Sequence, residues 1–160
     1  MAKIILFDWG NTIMVDFGLP GPMYMWEKVS WVPGAEQALQ MLSGFTCCLA
    51  TNAGESDSEA VRKGLERVGA DRYFSHIFSS KEIGFEKPDP RFFRYILQKL
   101  QTSPGNCIMI GDNYATDITG ARTVGMKTVL KTADPRERDF PLADVVIHGM
   151  NELYDAILAL

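Results

Sequence analysis

The sequence predicts an α/β protein: a doubly wound, mostly parallel sheet of five to six strands with helices on both faces. Two observations predict it. Short apolar runs alternate with segments of helical period along the whole chain, the pattern of successive strand–helix units. Polar residues able to do chemistry stand at the ends of several of those runs, where an open α/β sheet gathers its ligands. At 160 residues the chain is expected to form a single domain over 1–160, with a sizeable core.

The first run, Ile4-Ile5-Leu6-Phe7, predicts a strand over 4–8 that ends at Asp8 and is closed by Gly10-Asn11. Further strands are expected over 45–51, 77–79, 107–111, 127–130 and 144–147. A helix over 35–42 follows Pro33-Gly34, and one over 56–68 stops at Gly69. The helix over 90–100 opens on Pro90, which has no N–H to leave unpaired in the first turn, and Asp89 is placed to cap it. A helix over 116–124 ends at Gly125, and Asn151 is expected to cap a last helix that runs to the carboxyl end.

Composition narrows the function classes. A 46% hydrophobic and 22% charged chain is an ordinary globule. A net charge of −4, with no Lys or Arg run, argues against nucleic acid as a partner. No apolar stretch approaches the length of a membrane span, so no membrane partner is expected. Met1-Ala2-Lys3 leads directly into the first strand, so no cleaved leader is expected. Cys47, Cys48 and Cys107 are odd in number, form no Cys-x-x-Cys and lie in apolar runs. They read as reduced core residues, consistent with a cytoplasmic location.

The unusual stretch is 13–32, a flap-like insertion. It gathers Met14, Phe17, Met23, Tyr24, Met25, Trp26 and Trp31 but is broken by Gly18, Pro20, Gly21 and Pro22, which prevent a long helix. Such aromatic and Met surface must be covered. Either the flap folds onto the body, or it forms a lip over a site or a homodimer contact.

Four segments carry the chemistry. Asp8 ends the first strand, Thr51-Asn52 the second, and Asp112 the fourth, with Asp117 on the helix that follows; Lys87 precedes Pro88-Asp89-Pro90. Acid, hydroxyl, ammonium and acid converging on one sheet edge suit phosphoryl transfer. Carboxylates hold Mg²⁺, a hard cation that prefers oxygen. The metal and a lysine offset the phosphoryl charge, a hydroxyl and N–H groups hold the remaining oxygens, and a carboxylate can itself attack phosphorus.

These motifs resemble the haloacid dehalogenase-like hydrolase superfamily, in order and over almost the whole chain. The resemblance implies Asp8 as nucleophile, Thr51 as the second-motif hydroxyl, Lys87 as the third-motif lysine and Asp112 with Asp117 as the fourth-motif acids. It implies Mg²⁺ held by Asp8, the Gly10 carbonyl and Asp112, with Asp117 at the metal site through a bound water or Lys87. From their positions Asn11, Asn52 and Asn113 are expected to line the substrate site, Asn52 and Asn113 by orienting backbone turns. Many relatives insert a helical cap domain between the first and second motifs. Here residues 13–32 leave no room for one, which resembles the capless branch. A phosphorylated small molecule or macromolecule is the expected substrate.

One position departs from the family. Its phosphatases carry a second Asp two residues after the nucleophile, as the proton carrier; here that position is Gly10. Asn11 follows, a residue that tolerates left-handed backbone angles. The carbonyl remains for metal, but a positioned acid–base group contributes typically ~10²–10⁴-fold. Two alternatives therefore stand beside a phosphatase: a weak or inactive protein that binds a phosphorylated ligand or a partner, and a dehalogenase-like hydrolase. His76, His148, Lys81 and the Arg136-to-Asp139 run are read as structural or solvated; Asp16 is an acid in the flap that could swing inward, read first as a solvated turn residue.

Overall fold

A computed structural model describes residues 3–134, 136 and 139–160. Met1, Ala2, Glu137 and Arg138, about which the sequence raised expectations, lie outside the described residues. Six strands form one sheet: β1 (Ile4–Phe7), β2 (Thr46–Thr51), β3 (His76–Ser79), β4 (Cys107–Gly111), β5 (Lys127–Lys131) and β6 (Val145–Ile147). Every neighbouring pair is parallel, in the order β3-β2-β1-β4-β5-β6. The chain leaves β1 toward β2 on one side and returns to β4 on the other. The crevice at the carboxyl ends of β1 and β4 is therefore the topological switch point.

A sheet covered on both faces needs strands that are apolar on both, and alternation sorts the residues between two cores. Ile5 and Phe7 face one, with Leu49, Ile108, Ile110 and Val129. Helices α1 (Ala35–Met41), α2 (Ser58–Glu66) and α6 (Leu153–Leu158) close that side through Leu39, Leu65 and Leu153. Leu6, Cys48, Ala50 and Met109 face the other, under α4 (Pro90–Lys99) and α5 (Thr119–Thr123), with Phe92, Phe93, Ile96 and Ala121. Fully burying a side chain such as Phe92 contributes about 1.5–3 kcal/mol. The three cysteines are free and buried, as expected. Burial, then Cys48 alongside, pushes the Cys47 thiol up to about 12, so it stays a protonated core group.

Asp89 caps α4 as predicted, accepting from Arg91 N–H at 2.9 Å. Other helix boundaries differ. α2 begins at Ser58 because Asp57 caps it, accepting from Ala60 N–H at 2.9 Å. A short helix the sequence did not announce, α3 (Ser80–Ile83), follows β3 directly. The expected helix over 116–124 is a π-helical turn, Tyr114–Ile118, running into α5. Asn151 caps nothing: it lies inside a 3₁₀ turn, Met150–Glu152, and Glu152 Oε2 instead accepts from His148 N–H at 3.3 Å.

Among the described residues no cap domain stands between β1 and β2. The flap folds onto the body, with Met14, Met23 and Trp26 buried. Trp31 Nε1 donates to the Val68 carbonyl at 3.1 Å, and Arg67 donates to the carbonyls of Tyr24, at 3.2 Å, and Trp26. The Trp9 ring presses on Gly64 of α2, where a Cβ would come within 2.6 Å of it. Any larger residue at 64 would have to displace an aromatic ring held against backbone.

Candidate active site

Asp8 follows β1, its N–H donating to the Ile110 carbonyl at 2.9 Å, so β4 fixes where the carboxylate emerges. Thr51 closes β2 beside it, and Asp112 follows β4 across the crevice. Asp117 comes back from the π-helical turn, an irregularity frequent at functional sites. Its Oδ2 accepts from Asn113 N–H at 3.1 Å. Gly111 makes this approach possible: a Cβ there would stand 2.1 Å from Asp117 Oδ2.

Lys87 joins these groups. Its Nζ donates to Asp8 Oδ1 at 2.9 Å, Asp117 Oδ1 at 2.7 Å and the Ala50 carbonyl at 2.8 Å. Three donors meet three acceptors, which is what an almost completely buried ammonium requires. Burial alone would pull the Lys87 pKa down; the Asp8 and Asp117 carboxylates outweigh it, and the net direction is up. Asn52 fixes the main chain behind the ammonium: its amide donates to the Lys87 carbonyl and accepts from Lys87 N–H, both at 2.9 Å. Asn52 thereby positions the lysine main chain from the cleft wall, with one amide N–H still uncommitted by these two bonds. The Lys87–Pro88 peptide is cis.

The acids repel one another. Desolvation, then the hydrogen bond and charge of Asp8, raises the Asp112 carboxyl to about 7. Desolvation raises Asp117 to about 6 against the pull of Lys87. One carboxylate oxygen from each of Asp8, Asp112 and Asp117 lies within 4.8 Å of the others. Three crowded carboxylates with one ammonium are an all-oxygen donor set with negative charge to spare. They fit a hard divalent cation better than a soft one. Gly10, whose carbonyl the family resemblance assigns to the metal, borders the same cleft. Among the described residues none of the turn's main-chain hydrogen bonds falls on that carbonyl; they go to the carbonyls of Trp9 and Met14.

The cleft encloses about 670 Å³ and takes in Asp8, Thr51, Lys87, Asp112 and Asp117 together. The three expected asparagines border it as well. Asn113 Oδ1 accepts from Thr116 N–H at 3.1 Å, capping the π-helical turn. Asn11 holds φ 60 and accepts Asp16 N–H on its side chain at 2.9 Å. The flap supplies an apolar side through Leu19, Pro22, Met23 and Trp26, so it is both a packed segment and a border of the cleft. Lys81 pairs with Glu55 at 2.6 Å instead of entering the site. His76 stacks on Phe78 and His148 meets the Thr132 carbonyl, both outside the cleft.

Three participants went unassigned in the sequence. The Ala50 carbonyl carries no side-chain signal at all. Lys131 Nζ donates to the Asn11 carbonyl at 3.1 Å, pinning the turn after Asp8 from β5. Asp16, expected as a solvated turn residue, is exposed but borders the cleft. Its signal was Asp-x-Gly, a turn in which the side chain accepts from the Gly18 N–H, here at 2.8 Å.

A family model for haloacid dehalogenase-like hydrolases matches residues 21–125. A ribulose-1,5-bisphosphate 5-phosphatase of Halopiger xanaduensis is 35% identical over 113 residues, which are 69% of this chain and 45% of that protein. A glyceraldehyde 3-phosphate phosphatase of Pyrococcus furiosus is 32% identical over 134 residues, 79% and 54% of the two chains. The chain thus spans about half the length of these relatives. A Bacillus subtilis hydrolase of the same type, solved with bound magnesium, superposes with a TM-score of 0.80 at 20% identity, over 98% of each chain.

Proposed function

The chain belongs to the haloacid dehalogenase-like hydrolase family, and from that premise we propose that it is a Mg²⁺-dependent phosphatase that works through a phospho-aspartyl intermediate on Asp8. One observation carries the reading. Asp8, Asp112 and Asp117 converge within 4.8 Å, and a fully hydrogen-bonded Lys87 ties the first to the third. This is a nucleophile and a cation pocket in one place. Relatives named as phosphatases of sugar phosphates support a phosphorylated small molecule as substrate.

Asp8 Oδ2 attacks phosphorus while Oδ1 is held by Lys87. The ammonium offsets the charge on the attacking carboxylate and keeps it oriented. Thr51 and the N–H groups of Trp9 and Gly10, which are not among the turn's internal main-chain donors, would hold the phosphoryl oxygens. Asp8, Asp112, Asp117 and the Gly10 carbonyl would hold Mg²⁺, which would supply Lewis-acid neutralisation of the phosphoryl charge. Asn52 and Gly111 act behind these groups, one fixing Lys87 and the other making room for Asp117. The apolar flap side receives the carbon portion of the substrate. Leu19 and Met25 are the flap's exposed large apolar side chains, and a homodimer contact through the flap would be built on them.

The test is hydrolysis of p-nitrophenyl phosphate at saturating Mg²⁺. Turnover that disappears in Asp8→Asn and on chelation supports the reading; turnover no greater than the Asp8→Asn background refutes it. A second reading, binding without turnover, is favoured by the missing side chain at Gly10. Tight binding of a phosphate mimic by a protein with no turnover would establish it.

A further inference from the structure

Cleaving an unactivated phosphate ester requires a group that protonates the departing oxygen and later deprotonates water. The acids already placed are committed. Asp8 is the nucleophile, while Asp112 and Asp117 belong to the cation pocket. Asp117 is also bonded to Lys87, whose three protons are all engaged. One further carboxyl group borders the cleft: Asp16.

Its position is specific. A Cβ built on Gly10 would point at Asp16, 3.4 Å from its Cβ and 3.6 Å from Oδ2. The Asp16 side chain thus lies in van der Waals reach of the place where a side chain at residue 10 would begin, and both residues border the cleft. Asp16 is held there at two points. Its N–H donates to Asn11 Oδ1 at 2.9 Å, and its Oδ1 accepts from Gly18 N–H at 2.8 Å. Gly18, at φ 66, closes that turn without steric cost. Oδ1 is thereby pinned and Oδ2 is left toward Gly10. Gly10, Asn11, Asp16 and Gly18 then form one set: the first leaves the space, the second and fourth aim the acid that fills it.

We infer that Asp16 is the proton carrier of this enzyme, a catalytic carboxyl group delivered from the flap. The inference rests on the phosphatase reading above. In the first step Asp8 Oδ2 forms a bond to phosphorus. The P–O bond to the leaving group breaks, its electron pair stays on the leaving oxygen, and Asp16 gives that oxygen a proton. In the second step the Asp16 carboxylate takes a proton from water as the water oxygen bonds to phosphorus. The P–O bond to Asp8 breaks with its pair returning to the carboxylate, inorganic phosphate departs and Asp16 is again protonated.

The experiment compares wild type and Asp16→Asn on p-nitrophenyl phosphate, whose leaving group needs no proton, and on phenyl phosphate, whose leaving group does. Asn retains the oxygen that accepts from Gly18, so the turn survives; circular dichroism checks this. Asp16→Asn should release about one nitrophenolate per chain in a fast burst, then stall as phospho-Asp8 persists. It should lose about 100-fold or more on phenyl phosphate, with no burst. Gly10→Asp combined with Asp16→Ala, which empties that space, should recover most of the phenyl phosphate activity that Asp16→Ala alone loses. Equal rates for wild type and Asp16→Asn, or equal losses on both substrates with no burst, overturn the inference while leaving the phosphatase reading intact. A wild type as slow as Asp8→Asn on both substrates overturns both.

Discussion

Lys87 Nζ lies 2.7 Å from Asp117 Oδ1, both side chains being almost completely removed from solvent. Breaking such a pair leaves an uncompensated buried charge, at a cost of about 3–5 kcal/mol. Lys87→Met should therefore lower the unfolding free energy by about that amount, as well as abolish turnover. Lys87→Met combined with Asp117→Leu should recover part of the stability and none of the activity. Chemical denaturation and a phosphatase assay of the two variants separate the structural role from the catalytic one.

The raised acids give the metal-free protein an unusual pH dependence. Asp112 stands at about 7 and Asp117 at about 6 when folded, against about 3.9 unfolded. Between these limits the folded chain holds more protons than the unfolded one, so unfolding free energy falls as pH rises. This contribution is fully present below about pH 4 and lost by about pH 7. Melting temperature in a chelator should drop across that window, and Asp112→Asn should flatten the slope. Mg²⁺ prefers the ionised acids, so its stabilising shift should be larger at pH 8 than at pH 5. A shift of equal size at both pH values would contradict a carboxylate-held cation.

Asn52→Ala should misplace the ammonium without touching it. It removes both hydrogen bonds to the Lys87 main chain and strands that N–H and C=O. Stability should fall by about 1–3 kcal/mol. Small displacements of a reacting group cost up to about 10²-fold, so kcat should drop by about 10- to 100-fold with KM little changed. Steady-state kinetics on p-nitrophenyl phosphate provide the check.

Gly111→Ala makes the opposite kind of lesion, an excess of one methyl group. The added Cβ would stand 2.1 Å from Asp117 Oδ2, so the carboxylate must leave its place beside Lys87. Overpacking costs typically 1–3 kcal/mol. Activity should fall far more than the melting temperature suggests, and calorimetric Mg²⁺ affinity should weaken in parallel.

Strands and site residues were legible because each leaves a one-dimensional trace. β4, covered on both faces, reads as the unbroken run Cys-Ile-Met-Ile-Gly, and its bounds were read directly. Asp8, Thr51 and Asp112 announce themselves by standing at or just past such ends, and Lys87 by the Pro88-Asp89-Pro90 run that opens α4. α3 left no trace, since four residues are too few to show a helical period. The π-helical turn was hidden because Asn113 and Asp117 set it through main-chain bonds that a residue pattern does not carry. Asn151 was misjudged because cap preference is local, while Glu152 reaching back to His148 N–H decided the turn. Asp16 is the exposed turn residue the sequence suggested, but its closeness to Gly10 exists only once the flap has folded back.

Trp9 follows the nucleophile directly, borders the cleft and rests its ring on α2, with Nε1 donating to Met14 Sδ at 3.2 Å. Trp26 borders the same cleft from the flap, whereas Trp31 is bonded to Val68 away from it. Two of the three indoles thus belong to residues that border the cleft and one does not. Intrinsic fluorescence of the unlabelled protein should therefore change when a ligand fills the cleft.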